Sequence, residues 1–281
     1  ALPTVEHGSI KMDLSRRDFT VNALAVCLNA ARFGELLDFF GGQQDLRDKL
    51  LRVIHNLSFV EDPTRLLRAV RFEVRFGLRL SRHAEQLAAN AVQMGLLDKV
   101  GGQRLFGELQ LILREARPWE ILQRLESLGA LAAIHPRLAL GRATESRLQR
   151  VDEVLTWYGL LYLPAQPEAW RVRLLVLLEE RPGAEARAVL RRLTPPARVG
   201  DAVSQDLARL RSLARSLQRA RDVTPSRMHR WLAEASIEVV LALNLISARR
   251  ALKLTQETLG RQSGVDMYVT AHIERQAHNP S

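Results

Sequence analysis

Residues 61–76 read EDPTRLLRAVRFEVRF, and this stretch sets the character of most of the chain. Asp62 stands where a helix N-cap belongs. Pro63 stands at the first helical position, where a missing N–H costs nothing. Leu66, Leu67, Val70 and Val74 follow at helical spacing, which predicts an amphipathic helix. Asp62, Arg65, Arg68 and Arg71 recur every third residue. Such positions lie about 300° apart around a helix, so they form a slowly drifting stripe on one side. Two readings are open. The stripe can be a set of surface ion pairs, each contributing about 0–1 kcal/mol. Alternatively, an aspartate beside an arginine presents acceptors and donors that can read the Watson–Crick edge of a base, while the later arginines meet phosphates. Three arginines on one side repel one another unless an anion sits between them, which counts against the first reading.

From about Phe59 onward the chain reads as helix after helix. A second helix is expected from the Ser81 cap to about Met94. Others are expected over 103–114, 118–128, 145–158, 168–180, 184–193, 200–221, 225–235 and 237–260. Glycine and proline breaks separate them, at Gly101-Gly102, Gly129, His135-Pro136, Pro182-Gly183, Pro195-Pro196 and Thr224-Pro225. Short loops between helices imply an irregular bundle, and no fixed repeat suggests a solenoid. Trp119, Trp157, Trp170 and Trp231 fall within these helices, where core packing is expected. Strand-like runs are expected only in the first quarter, at ELLDFF (35–40) and LLRVIH (50–55). The polar end, 263–281, is expected to be partly disordered.

The composition narrows the partners. The chain has 281 residues, 47% apolar, enough for a real core in one large or several small domains. Its 41 Lys+Arg against 31 Asp+Glu give a formal charge of +10, which favours a polyanion such as nucleic acid or an anionic membrane. One cysteine, Cys27, excludes an internal disulfide framework and a cysteine-rich zinc site, and points to a reducing cytoplasm. No run approaches the roughly 20 apolar residues of a membrane span. The opening ALPTVEHGSIKMDL is no signal peptide and has no initiator Met, so it reads as cut rather than natural.

A second polar cluster lies near the start, SRRDFTVNALAV at 15–26. Arginines such as Arg16 and Arg17 suit phosphates through a planar fork of donors. Asp18 can accept from a ribose hydroxyl, Thr20 and Asn22 add neutral groups, and Phe19, Val21, Leu24 and Val26 would anchor the segment. Taken alone, the same letters also read as an amphipathic helix start with a capping aspartate and exposed arginines.

RRDFTVNALAV (16–26), DFFGGQQDLRDKLLRV (38–53) and EDPTRLLRAVRFEVRFG (61–77), in this order and spacing, closely resemble the bacterial class II tRNA nucleotidyltransferase and poly(A) polymerase family. These enzymes add C and A residues to tRNA 3′ ends. The resemblance covers roughly 1–140 and continues by helical character alone. It is nearest to the long form with regulatory domains upstream, several members of which add only A. It implies that Arg17 contacts the triphosphate, Asp18 holds the ribose and Asn22 supports the pocket. Asp62 and Arg65 would pair with the incoming base, Arg68 and Arg71 would form a basic wall for phosphates, and Glu61 would be the acidic partner at the helix head. The fold implied is mainly α: a remnant of the α/β nucleotidyltransferase head (1–57), a helical neck (58–130) and a helical body and tail (131–281).

The family uses two Mg²⁺ ions on an Asp-x-Asp strand after a glycine loop. Alternate residues of a strand face one side, so such a pair can bridge two ions. No two aspartates of this chain stand two apart. Gly41-Gly42-Gln43-Gln44-Asp45 and Gly101-Gly102-Gln103-Arg104 are followed by no carboxylate pair. No catalytic metal ligand is therefore expected here, and the chain alone is expected not to polymerise ATP or CTP. It would be a fragment contributing nucleotide selection and tRNA binding, or a non-catalytic RNA-binding relative. A purely helical scaffold explains neither arginine cluster. Further along, Arg211, Arg215 and Arg219 follow at intervals of four beside a stripe of Val203, Leu207, Leu210 and Leu217. They form either a solvated face or a surface for the phosphates of tRNA.

Overall fold

A computed structural model describes residues 8–220 and 223–246. It divides into two compact units, Ala1–Pro136 and Arg137–Ser281. The architecture is mainly helical.

The first unit opens with α1 (Ile10–Ser15), whose Ser9 cap accepts from the Met12 amide. One 3-10 turn follows at Thr20–Asn22, then strand β1 (Leu24–Val26). The reading of this stretch as an amphipathic helix start therefore fails, because a 3-10 turn and a strand stand there. Strand β1 pairs antiparallel with β2 (Leu36–Asp38), Leu24 opposite Asp38 and Val26 opposite Leu36. A three-residue apolar run has no period of its own, so partner pairing decides its form. Helix α2 (Gly42–Arg47) is capped by Asp38, which accepts from the Gly42 and Gln43 amides at 2.9 and 3.0 Å. Gly42 presses on the 3-10 turn so closely that a Cβ would stand 2.4 Å from the Thr20 carbonyl oxygen. Buried Asp45 accepts from the Thr20 hydroxyl and pairs with Arg52, fixing the turn from below. Next come β3 (Leu50–Leu51), α3 (Ser58–Glu61), α4 (Thr64–Phe76) and β4 (Arg79–Leu80), with β4 parallel to β3 and just outside the first quarter.

Helix α4 is the spine of this unit. Leu66, Leu67, Ala69 and Val70 are at most 1% exposed and pack toward the following helices. Each such leucine contributes about 1.5–3 kcal/mol by leaving water. The helix stops at Gly77, whose φ of +62° is the left-handed cap conformation. Phe19, wholly buried, bridges to Val53 and meets the Phe72 ring edge-on at 5.9 Å. That contact pins the 16–22 segment to α4. Helices α5 (Arg82–Gln93), α6 (Gly102–Arg114), α7 (Pro118–Ser127) and α8 (Ala130–Ile134) complete the unit. The Ser81 cap of α5 accepts from the Ala84 amide, as its position predicts.

The second unit contains α9 (Arg142–Gln149), α10 (Val151–Gly159), α11 (Ala169–Glu179), α12 (Gly183–Leu193), α13 (Ala197–Arg219), α14 (Pro225–Leu232) and α15 (Ile237–Ile246). The helix expected over 145–158 is two helices, broken at Arg150. Leu148, Val151 and Val154 are all buried, so the apolar period runs through the break and conceals it. Val172–Leu178 of α11 and Val239–Leu245 of α15 are buried all round, which makes these two the core. Trp157 and Trp170 are buried, while Trp119 and Trp231 are partly exposed. The expected extension of α15 to residue 260 and the polar end lie outside the described residues. Among those described, no helix is long and apolar enough to cross a membrane.

Candidate functional site

The first unit holds a cavity of about 850 Å³ between the 16–22 segment, the start of α4 and one face of α6. Arg16, Arg17, Asp18, Asn22, Asp62, Arg65 and Arg68 line it. The two polar clusters, some fifty residues apart in sequence, thus form one concave wall.

Asp18 is its centre. Its Oδ1 accepts from the Phe19 amide at 3.0 Å and from Asn22 Nδ2 at 2.8 Å. Its Oδ2 accepts from Arg68 Nε and Nη2 at 2.8 and 2.6 Å. Arg68 therefore grips one carboxylate oxygen with two charged donors, while the Phe19 amide and Asn22 hold the other. Burial works against the Arg68 charge, but Asp18 and Glu108 hold its pKa above the ordinary arginine value. Arg17 stays exposed, 3.6 Å from Asp13, with its guanidinium available to the cavity.

Asp62 turns out to pair with Arg104. Asp62 Oδ2 accepts from Arg104 Nη2 at 2.7 Å. Its Oδ1 accepts from the Thr64 amide at 3.0 Å and the Thr64 hydroxyl at 2.6 Å. Partial burial pushes the Asp62 carboxyl up, but the Thr64 bonds and the Arg104 charge bring it below the usual value. Arg65 lines the same cavity and has partners other than the Asp62 carboxylate. It donates to Ser58 Oγ at 3.0 Å and to the Arg16 carbonyl at 2.9 Å, tying α4 to the neighbouring segment.

Two of the expected residues lie off the cavity lining. Glu61 is exposed, 3.4 Å from His55 Nε2 and 3.9 Å from Arg65 Nη1. Arg71 is 5% exposed, 3.3 Å from Glu115 and 3.7 Å from Glu108, with its guanidinium over the Phe72 ring. Its charge faces the interior because the stripe drifts around α4.

Sequence reasoning missed Thr64, Arg104 and Glu108. Arg104 drew notice only as the end of a glycine run. The signal was present, because Arg104, Gly107, Glu108 and Leu111 fall at helical spacing and all line the cavity. Glu108 stands 3.7 Å from both Arg68 and Arg71, and its buried Oε2 has no hydrogen-bond partner. Burial pushes its pKa above the usual carboxylate value, against the pull of the two arginines.

In the second unit, Arg211 is half-buried. Its Nη2 donates to the Leu178 and Arg181 carbonyls at 2.8 Å each, and its Nε to that of Glu179 at 3.2 Å. It caps the end of α11, and only Arg215 and Arg219 of the expected trio are exposed. Among the described residues, no three His, Cys, Asp or Glu side chains converge as metal ligands.

The cavity thus gathers five arginines and two aspartates from the 16–22 segment, the start of α4 and α6. Residues 2–52 match the family described as the Poly A polymerase head domain. Over 249 residues the chain is 47% identical to the A-adding tRNA nucleotidyltransferase of Geobacter sulfurreducens, covering 86% of this chain and 28% of that protein. The A-adding tRNA nucleotidyltransferase of Aquifex aeolicus is 35% identical, with 87% of this chain and 30% of the relative covered. Among solved structures, a tRNA-processing enzyme in an apo form superposes with a TM-score of 0.78 at 32% identity, over 97% of this chain and 77% of that one. The Thermotoga maritima CCA-adding enzyme complexed with tRNA gives 0.74 at 30% identity, over 89% and 60%. The chain belongs to the tRNA nucleotidyltransferase and poly(A) polymerase family. It spans less than a third of the length of those two curated relatives.

Proposed function

We propose that this chain is the nucleotide-selecting and tRNA-binding part of a tRNA nucleotidyltransferase that adds A and/or C to tRNA 3′ ends. The observation that carries this is the cavity in which Asp18, Asn22 and Arg68 stand beside Asp62 and Arg104. Asp18, whose acceptor sites are filled by the Phe19 amide, Asn22 and two Arg68 donors, would accept from the ribose in exchange for one of the Arg68 bonds. Arg17 meets the triphosphate. Asp62 offers the remaining lone pair of its Oδ2 to the amino group of adenine or cytosine, with Arg65 beside it as the second template residue. Arg68 supplies positive charge behind the phosphates, and Arg71 supports it from the interior through Glu108.

The two Mg²⁺ ions that family chemistry requires do not fit the donors present. Asp18 is occupied by Arg68, Asp62 by Arg104, and Glu108 lies between two arginines. A carboxylate already neutralised by a guanidinium is a poor ligand for a dication. We place the ions on carboxylates outside this chain.

The test is equilibrium binding of ATP, CTP, GTP and UTP to this chain. Preference for ATP, CTP or both over GTP and UTP is expected, and equal affinities would sink the selection role. With tRNA, labelled ATP or CTP and Mg²⁺, the chain alone is expected to give no extension. The absent carboxylate pair also suits a non-catalytic RNA-binding relative, which would bind tRNA without discriminating nucleotides.

A further inference from the structure

We propose that the α12–α13 hairpin binds the phosphodiester backbone of RNA through Arg187, Arg191 and Arg215, with Arg211 as a fixed fourth charge. This rests on reading the chain as part of a tRNA-acting enzyme. Residues 183–219 carry eight arginines against three acids, Glu185, Asp201 and Asp206. Two of the acids are engaged elsewhere, Glu185 with Arg137 and Asp206 with Arg171.

The arginines converge across the two helices. A Cβ added at Gly183 would stand 3.5 Å from Arg187 Nη1 and 3.6 Å from Arg211 Nη1, so both guanidinium groups gather at one point. Arg211 cannot swing away, because three backbone carbonyls hold its Nε and Nη2. Among the described residues, Arg215 donates only to the Arg211 carbonyl, which keeps it one turn along the same side. Arg187 and Arg191 also line a groove of about 290 Å³ against the start of α13, with Asp201 as its one carboxylate. Among the described residues, Arg187, Arg191 and Arg215 pair with no carboxylate, and all three are exposed. Burial, together with the charges of Arg187 and Arg215, holds the Arg211 pKa below its ordinary value, against the pull of Glu179. Like charges held this close are relieved by an anion, and a row of them across a hairpin suits a chain of phosphates. Arg219, the last of the expected trio, lies two turns beyond Arg211 and plays no part in the convergence.

The experiment titrates this chain with fluorescein-labelled tRNA over a series of salt concentrations. Each neutralised phosphate contributes about 0.7–0.9 to the slope of log affinity against log salt. The double variant Arg187→Gln with Arg215→Gln is expected to lower that slope by roughly 1.5 and to weaken low-salt binding about tenfold or more. Arg142→Gln, an exposed charge elsewhere in this unit, should leave both unchanged. Circular-dichroism melting should show that the variants fold, since the replaced side chains are exposed. If tRNA still binds and the double variant keeps its slope and affinity, this surface is wrong and the tRNA reading stands. If the unsubstituted chain binds no tRNA, both fall. Binding to phosphatidylglycerol vesicles in place of tRNA would likewise overturn the proposal and identify a membrane surface.

Discussion

Arg104 on α6 donates to Asp62 at the head of α4 across 42 residues of sequence, at 2.7 Å. The contact ties one cavity wall to another and, with the Thr64 bonds, lowers the pKa of a carboxylate proposed to read the base. Arg104→Ala is expected to raise the Asp62 pKa toward the ordinary value, read by ¹³C-carboxyl titration. It should also reduce discrimination between ATP or CTP and GTP or UTP. The Arg104 side chain is 58% exposed, so the stability loss should stay within about 1 kcal/mol. An unmoved Asp62 titration would remove Arg104 from this role.

Asp18 and Arg68 form a more enclosed pair, with side chains 8% and 33% exposed. Arg68→Ala leaves a buried carboxylate with only an amide and Asn22. It is expected to destabilise the first unit by roughly 2–3 kcal/mol, less than the ~3–5 of a fully buried pair. Urea unfolding measures this. A loss below about 0.5 kcal/mol would show that the pair adds nothing in solution.

Glu108 predicts a pH effect of opposite sign to that of Asp62. Its folded-state pKa is raised, so its contribution to stability is complete below the unfolded pKa and is lost as pH rises through the folded value. Asp62 has a lowered pKa, so its contribution is present above the unfolded value and lost as pH falls through the folded one. Glu108→Gln should therefore leave the Tm at neutral pH equal or higher, and flatten the fall in stability above the carboxylate range. Arg71 keeps Glu115 and Arg68 keeps Asp18 in that variant. A Tm drop of several degrees at pH 7 would show that the arginines need this charge.

Gly42 tests the support beneath the pocket. Gly42→Ala places a methyl carbon 2.4 Å from the Thr20 carbonyl oxygen, in the turn that presents Asp18 and Asn22. Relief requires moving backbone, so a loss of about 1–3 kcal/mol is expected, together with weaker ATP binding. Full stability with unchanged binding would mean that the turn and α2 separate freely.

Much of the helical order was legible along the chain, because caps, prolines and a 3.6-residue period are local. Ser81, Pro118 and the α4 stripe needed no tertiary context. The break at Arg150 was hidden because Leu148, Val151 and Val154 keep helical phase through it. Strand β1 was hidden because a three-residue run has no period, and pairing with Leu36–Asp38 decides it. The residue types of the pocket, arginines with aspartates and an asparagine, were also readable, as was their division into two clusters.

Tertiary structure alone decided which residue faces which. The spacing put Asp62, Arg65, Arg68 and Arg71 on one side of a helix; the three arginines lie on α4, while Asp62 is extended backbone ahead of it. A side of a helix is wide, however, and what packs against it divides the four. Arg68 meets Asp18, Arg65 meets a backbone carbonyl, and Arg71 turns inward to Glu115. Asp62 goes to an arginine on another helix. Charge type and spacing are properties of the chain. Pairing depends on which desolvated charge comes within reach of another, and only the packed fold sets that distance.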